Sequence, residues 1–351
     1  MKRVIVIGGG PAGMQAAVAL KAAGLEPVIV ERSDALGGKL RDWHNLFPSA
    51  TPAREVLDGL RKAVEMARVE VLLHTEVEGL TPDGSKPSVE VALAGGHAVQ
   101  LSGGRKLEAA AVVVASGFDV FDASLKEEYG YRIYDNVFTT VDVERMLNEG
   151  GVALADGSAP RRVAFVHCVG SRDEKVNQKH CSKVCCVTAV KQAMEMRALF
   201  PEADIYNFYM DIRMFGPGYE ELYQRAQQES RVNFIRGRVS EASPTIDGRI
   251  QIKAEDTLVG RPMKMSVDML VLAVGMKAGS SCEKFARTAD AALSPNGFLA
   301  PADLFSGCVA SGVPGVFYAG AATAPKTIGE SLAEGSMAAC WVVEYLDTLA
   351  K

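Results

Sequence analysis

Short runs of apolar, β-branched residues alternate along the chain with longer stretches of mixed polarity, the rhythm of buried parallel strands joined by helices. The first run, Val4-Ile-Val-Ile7, ends in a glycine turn from Gly8 to Gly13, and the alanine-rich stretch Met14 to Ala23 then reads as a helix stopped by Gly24. Pro27-Val-Ile-Val-Glu31 reads as the second strand, about Pro52 to Ala67 as a helix, and Val69 to Leu73 as a strand. Between 88 and 115 the pattern predicts short strands broken by glycine pairs, closing on the apolar strand Ala110 to Ala115.

A second series starts at the strand Arg162 to His167, followed by a helix over Ser182–Leu199 and a strand over Ala203–Tyr209. A helix over Tyr219–Ser230 and a strand over Val232–Ile235 come next. Three short strands then lie between Arg238 and Val267, with Asp247-Gly248 as a hairpin turn. The chain closes with the apolar strand Asp268 to Val274, a strand over Gly315–Gly320 and a long helix over Ile328–Leu349. Two strand endings echo each other, Ala115-Ser-Gly117 and Ala273-Val-Gly275. The echo predicts one domain, 1–155 with 265–351, interrupted by another, 156–264. The expected fold class is α/β.

Composition changes this picture only by exclusion. At 351 residues the chain is long enough for two cores, and 48% hydrophobic with 23% charged residues is ordinary for a globular protein. A net charge of −5 offers no basic footprint for nucleic acid or an anionic membrane. No apolar run approaches the roughly 18 residues needed to span a bilayer. Met-Lys-Arg leads straight into the first strand, so no signal peptide is expected. Seven cysteines form an odd, clustered set rather than a disulfide framework, which points to a reducing, cytoplasmic compartment.

The glycine turn carries the first chemistry. Gly8-x-Gly10-x-x-Gly13 follows a strand and opens a helix, with Pro11 and Ala12 inside the turn. The first glycine permits the tight turn, the second lets the backbone approach a pyrophosphate, and the third packs helix on strand. Glu31, ending the second strand, stands where a carboxylate can accept ribose hydroxyls. The downstream glycine pair Gly37-Gly38 and the segment from Val316 to the last helix look like the two halves of the FAD site of two-dinucleotide-binding-domain flavoproteins. That resemblance implies FAD contacts from Arg32, Gly38, Lys39, Leu40, Val77, Ser116, Gly117, Phe118, Gly320, Ala321, Lys326 and Thr327. One departure is Ala321, where such proteins usually carry an aspartate; a backbone N–H would have to make the ribityl contact. Lys326 reads either as a charge at the flavin N1–O2 edge or as a solvated lysine at a helix start.

Four cysteines, Cys168, Cys181, Cys185 and Cys186, follow the spacing C-x12-C-x3-C-C. They occupy the place where a second nucleotide loop would stand, and Cys168-Val-Gly-Ser-Arg172 is not GxGxxG, which argues against ordinary NAD(P)H binding there. Three readings stand side by side. Four thiols ligate a [4Fe–4S] cluster; Cys181 and Cys186 form a redox disulfide; or all are small buried residues at a helix start. Adjacent cysteines bridge poorly, so Cys185-Cys186 fits a pair of ligands better than a disulfide. With four thiols at hand, His167 and His180 are not expected to ligate. Cys282, Cys308 and Cys340 are isolated, Cys340 on the apolar face of the last helix and expected in the core. Tyr206, Phe208, Tyr209, Met210, Met214 and Phe215 read as core packing or a dimer surface.

The run Phe165 to Glu174, then His180-Cys-Ser-Lys-Val-Cys-Cys-Val-Thr-Ala-Val-Lys-Gln192, resembles the core of the HdrA family of heterodisulfide reductase subunits. The tail Ala319 to Ser331 is similar to the same family's C-terminal signature. The resemblance covers nearly the whole chain. It implies a thioredoxin-reductase-like fold in which an FAD Rossmann domain is interrupted by a second Rossmann-like domain, with Cys168, Cys181, Cys185 and Cys186 holding a [4Fe–4S] cluster. No C-x2-C-x2-C-x3-C run occurs, and this ferredoxin-less form is similar to the HdrA-like member of the bacterial sulfur-oxidising complex. That likeness implies electron transfer in cytoplasmic sulfur oxidation, with other heterodisulfide reductase-like subunits and a lipoate-binding carrier as partners. NAD is a possible two-electron partner, and a homodimer is expected. The rival resemblances are the related member of the quinone-interacting oxidoreductase of sulfate reducers and a stand-alone NAD(P)H-dependent disulfide reductase using Cys181 and Cys186. A third alternative is a flavin-bound scaffold whose cluster is structural.

Overall fold

The computed structural model describes residues 2–81, 88–93 and 105–350, so the glycine pairs Gly95-Gly96 and Gly103-Gly104, expected as strand breaks, lie outside the described residues. Among the described residues the α-helices are α1 (Pro11–Ala22), α2 (Ala53–Met66), α3 (Thr140–Asn148), α4 (Cys185–Leu199), α5 (Tyr219–Gln228), α6 (Ser280–Ala289) and α7 (Ile328–Thr348). None of them is long and apolar enough to cross a membrane.

The chain divides into two compact units. The first holds Met1–Arg41, Arg54–Asp119 and Lys277–Lys351; the second holds Asp42–Ala53 and Val120–Met276. These borders lie apart from the expected ones at 155/156 and 264/265. The strands Val137–Thr139 and Met269–Val274 hydrogen-bond into the second unit's sheet, which carries 120–155 and 265–276 with it. Periodicity marks a strand but not its neighbours, so pattern alone does not locate the border.

In the first unit five parallel strands lie in the order Val316–Tyr318, Ala111–Val114, Arg3–Ile7, Glu26–Val30, Glu70–Leu72. Val4 to Val6 and Val112 to Val114 are fully buried, as strands covered on both faces must be. Gly335 of α7 lies so close to α1 that a Cβ there would stand 2.4 Å from the Ala12 carbonyl oxygen. Gln15 Nε2 adds a 3.0 Å bond to Ser336 Oγ. Cys340 is exposed, contrary to the expected core position. The buried stripe of α7 runs Gly335, Ala338, Ala339, Val342, Leu346, and one residue past Ala339 the helix has turned about 100° outward.

The second unit repeats the parallel sheet in the order Val137–Thr139, Met269–Val274, Arg162–Val169, Asp204–Tyr209, Asn233–Arg236. An antiparallel meander of Val239–Pro244, Ile250–Asp256 and Arg261–Val267 turns where Asp247-Gly248 was expected to turn it. Helix α4 is buried nearly all round, and even its Lys191 and Gln192 face inward. Lys191 Nζ pairs with Glu144, with Glu195 at 3.2 Å and with the Asn45 carbonyl at 3.1 Å. Glu144 also accepts Gln192 Nε2 at 2.7 Å and the His44 N–H at 2.7 Å. These bonds are why the segment Asp42–Ala53 belongs to this unit.

A second buried pair joins Lys126 to Asp173 at 2.7 Å. Burial pushes the Asp173 carboxyl up, but hydrogen bonds from Lys126 and the Lys175 N–H outweigh it and hold the group below the ordinary range. Burial pushes Lys126 down, and bonds to Asp173 and Glu128 carry it above the ordinary range instead. A depressed carboxyl contributes stability above its unfolded value of ~3.9 that is lost as pH falls through the folded value. The raised lysine contributes stability below ~10.4 that is lost as pH rises through its folded value. The thermal midpoint should therefore be insensitive to this pair at neutral pH and fall below about pH 4. Asp173→Asn should flatten that acid limb; melts of equal acid slope in both proteins would contradict the assignment.

Candidate functional site

The first unit gathers the expected nucleotide residues at the carboxyl ends of its strands. Gly8 adopts φ 103°, and its N–H donates to the Val30 carbonyl at 2.9 Å, folding the turn back over the second strand. A Cβ on Gly13 would stand 1.9 Å from the Gly8 oxygen, so only glycine lets α1 start this close to the strand. A Cβ on Gly10, by contrast, would meet nothing within 4 Å. The helix therefore opens onto free space with its first N–H groups and Pro11 at N1, the arrangement that receives a phosphate.

Glu31 is buried, and its carboxylate accepts the Gly9 N–H at 2.7 Å and both the N–H and hydroxyl of Ser33 at 2.8 Å. A carboxylate has about four lone-pair directions, so one remains for a ribose hydroxyl. The Gly37 N–H donates to the Gly9 carbonyl at 2.8 Å, which brings Gly38 beside Gly10. Arg32 is exposed, Leu40 is buried, and Lys39 lies 5.4 Å from the centre of the Phe118 ring. Ser116 Oγ is buried without a partner and Gly117 faces open space. An orphaned hydroxyl beside an open cradle fits a dinucleotide.

Three of the expected contact residues also make bonds within the chain. Val77 packs into the core, and its carbonyl accepts Lys284 Nζ at 3.2 Å. Thr327 caps α7: its hydroxyl accepts the Glu330 N–H at 3.2 Å, and its own N–H and hydroxyl reach the Glu330 carboxylate. Lys326 is largely buried rather than solvated, with Nζ 3.1 Å from Glu334 and also bonded to Thr323 and the Gly320 carbonyl. Glu334, which no sequence motif singled out, also accepts the Gly320 N–H at 2.9 Å and so braces the turn through Ala321. Burial pushes its carboxyl up, partly countered by Lys326. A signal for it exists: Glu330 and Glu334 lie four apart, on one face of a capped helix.

The second unit places the thiols at the same edge of its own sheet. The ladder between Arg162–Val169 and Met269–Val274 shifts register between Val166 and Val169, so His167 and Cys168 bulge from the strand end. Cys168 takes φ 61°, a left-handed conformation uncommon for a side-chain-bearing residue. Cys185 and Cys186 form the first turn of α4, where the helix dipole favours a thiolate. Cys185 stands between the other two, hydrogen-bonded to Cys168 and to Cys186. The Cys185 thiol is raised first by its bond to Cys168, then by that to Cys186 and by burial. Hydrogen bonding with Cys185 draws Cys168 down to about 7 and Cys186 to about 4, against burial in both cases.

His167 is buried with Nε2 bonded to Asn207 at 2.7 Å, and burial, which lowers it, is outweighed by the neighbouring Cys186. Arg172 and the Arg213 N–H add positive charge toward Cys168 and Cys186. Cys181 is half-buried on the turn before α4, and its Sγ accepts the Lys183 N–H at 3.4 Å. All seven cysteines are free, the pair Cys181 and Cys186 included. Among the described residues no set of three or more His, Cys, Asp or Glu side chains stands in metal-holding geometry. The donor chemistry, cysteine thiols at a strand end and a helix start, nonetheless suits a thiophilic metal centre.

Comparison with known proteins agrees with the flavin half. Residues 3–42 match the family described as FAD dependent oxidoreductase. The chain is 32% identical, over 96% of its length, to the HdrA-type iron-sulfur subunit of CoB--CoM heterodisulfide reductase from Methanocaldococcus jannaschii, of which it covers 63%. It is 41% identical, over 65% of its length, to the corresponding subunit of H(2)/formate:CoB-CoM heterodisulfide,ferredoxin reductase from Methanococcus maripaludis, of which it covers 36%. The chain thus spans between about a third and somewhat under two thirds of these curated relatives. Among solved structures, thioredoxin reductase of Lactococcus lactis superimposes with a TM-score of 0.68 at 17% identity, covering 99% of this chain and 100% of that one. Thioredoxin reductase of T. acidophilum follows with 0.66 at 16%, covering 99% and 100%. The fold is therefore thioredoxin-reductase-like.

Proposed function

The chain is an HdrA homologue, related to the heterodisulfide reductase subunits of that type, with an FAD-dependent oxidoreductase segment at residues 3–42, and on that premise we propose that it is the FAD- and [4Fe–4S]-containing electron-transfer component of a heterodisulfide reductase-like complex. When bound, the flavin supplies a two-electron step and the cluster one-electron steps. The N-terminus of α1 and the open face at Gly10 receive the pyrophosphate, and Glu31 takes a ribose hydroxyl. The Lys326–Glu334 pair steadies the turn through Gly320 and Ala321, where the missing aspartate is replaced by backbone. Cys168, Cys181, Cys185 and Cys186 hold the cluster.

The observation that carries this reading is the convergence of three thiols at the strand end where an NAD-binding protein would carry its glycine loop. The relative from Methanocaldococcus, named as an iron-sulfur subunit, supports it. We place the process in cytoplasmic sulfur oxidation, with further complex subunits, a lipoate-binding carrier and a second copy of the chain as partners, and NAD as a candidate two-electron partner.

Anaerobic purification with iron, sulfide and EPR analysis tests the cluster. About four iron atoms per chain are expected after reconstitution, falling by half or more in Cys185→Ser while flavin content is unchanged. Iron-free wild-type protein, or Cys185→Ser with full iron and an unaltered spectrum, would sink it.

A further inference from the structure

The chain leaves the strand end at Cys168 and returns to the turn before α4 at Cys181. Between them residues 169–180 fold back as a hairpin-like loop. The Arg172 N–H donates to the His180 carbonyl at 2.9 Å, and Asp173 and Gln178 exchange two backbone bonds of 2.8 and 2.9 Å. At its inner end the loop is cinched to the strand end beside it. The hydroxyls of Ser171 and Ser182 bond each other, Ser182 Oγ accepts the Met276 N–H at 2.8 Å, and His180 Nε2 lies 2.7 Å from the Met276 carbonyl. A Cβ on Gly275 would stand 2.3 Å from Ser171 Oγ and 2.7 Å from Ser182 Oγ, so both arms press on that glycine.

The outer end of the loop is anchored by a charge. The Asp173 carboxylate, 3% exposed, accepts Lys126 Nζ at 2.7 Å, Arg238 at 2.8 Å and the Lys175 N–H at 3.0 Å. Lys126 is itself 3% exposed and also meets Glu128 at 2.7 Å. A surface loop gains nothing from burying a lysine and an aspartate for stability alone, since an apolar pair of the same volume does as well. What a buried pair adds is register: it tolerates one placement of the loop and penalises the others.

We propose that Asp173, through its buried pair with Lys126, is the positioning residue that fixes the spacing between the Cys168 and Cys181 arms and so lets Cys181 complete the cluster's thiol set. The proposal rests on the cluster reading above. The partners of Asp173 are Lys126, Arg238, the Lys175 N–H and the Gln178 backbone, none of them a thiol; it acts through the Arg172–His180 rung of the loop. Asn at 173 keeps the side-chain acceptor for the Lys175 N–H and loses the charge, so it isolates the effect.

The test uses the full chain, purified anaerobically with its flavin and reconstituted with iron and sulfide. In Asp173→Asn the flavin content should be unchanged, iron should fall below about half of the four atoms of the wild type, and the residual EPR signal should be shifted. Alkylation of Cys181, read by peptide mass, should speed up about tenfold or more relative to Cys185, the scale set by losing one charge-assisted hydrogen bond. Lys126→Arg should behave as wild type. The double variant Lys126→Met/Asp173→Leu guards against misfolding: it should melt near the wild type yet lose iron as Asp173→Asn does. Full iron with an unshifted signal in either charge-removing protein overturns the proposal. If the wild type takes no iron, the cluster reading fails separately. Positioning is then judged on the iron-free chain, where an unchanged Cys181 alkylation rate in Asp173→Asn overturns it.

Discussion

Gly10→Ala is expected to purify nearly colourless and to melt at the wild-type temperature. Among the described residues, Gly10's chain neighbours aside, no atom lies within 4 Å of the added methyl, so packing has no reason to change. The methyl instead occupies the space into which α1 opens, where a pyrophosphate must come within hydrogen-bonding reach of the first N–H groups. Displacing the phosphates costs affinity at tenfold per ~1.4 kcal/mol, so a loss of a few kcal/mol empties the site at micromolar flavin. Gly13→Ala makes the contrast. Its methyl would stand 1.9 Å from the Gly8 carbonyl oxygen, a backbone atom that cannot swing aside. Helix α1 must lift from the strand, and we expect the flavin to be lost together with about 1–3 kcal/mol of stability. Flavin absorbance per chain and thermal melts distinguish the two. Gly10→Ala with full flavin would remove the pyrophosphate from the mouth of α1.

Lys191→Met is expected to be the most destabilising single change in the second unit, by about 3–5 kcal/mol. The lysine is buried among Glu144, Glu195 and the Asn45 carbonyl, and its removal takes the shared ammonium from two carboxylates, Glu195 keeping Asn45 Nδ2 at 2.8 Å and the His44 ring at 3.4 Å. Glu144 keeps bonds from Gln192 and the His44 N–H, which soften the loss but supply no charge. The segment Asp42–Ala53 should loosen first, because the Asn45 and His44 bonds are what tie it in. Urea melts give the size of the effect, and hydrogen exchange over 42–53 gives its place. A change below about 1 kcal/mol would mean the pair behaves as a solvated surface bridge.

Much of this molecule is legible in its sequence. The glycine spacing from Gly8 to Gly13 and Glu31 at the next strand end depend on contacts within one strand–turn–helix unit, and they stand where pattern placed them. The same holds for the parallel strands, whose near-continuous apolar runs have one stable environment. Helix α3 is legible too, with its Thr139–Asp142 capping box and apolar Val143 and Leu147 on one buried face, yet it is absent from the pattern read above. Lys326 reads ambiguously since its partner Glu334 sits on the far side of a helix cap.

Local order alone therefore determined the α/β alternation, the nucleotide turn and the kind of atom available for metal binding, since each depends on neighbours a few residues away. Tertiary structure decided which strands share a sheet, and with that the unit borders at 119/120 and 276/277. It also turned Cys340 outward while drawing Cys168 to Cys185 and Cys186, and it set Lys126 against Asp173 across 47 positions of sequence. Those outcomes are pairings between distant segments, and periodicity records only that a side chain is buried, never what it is buried against.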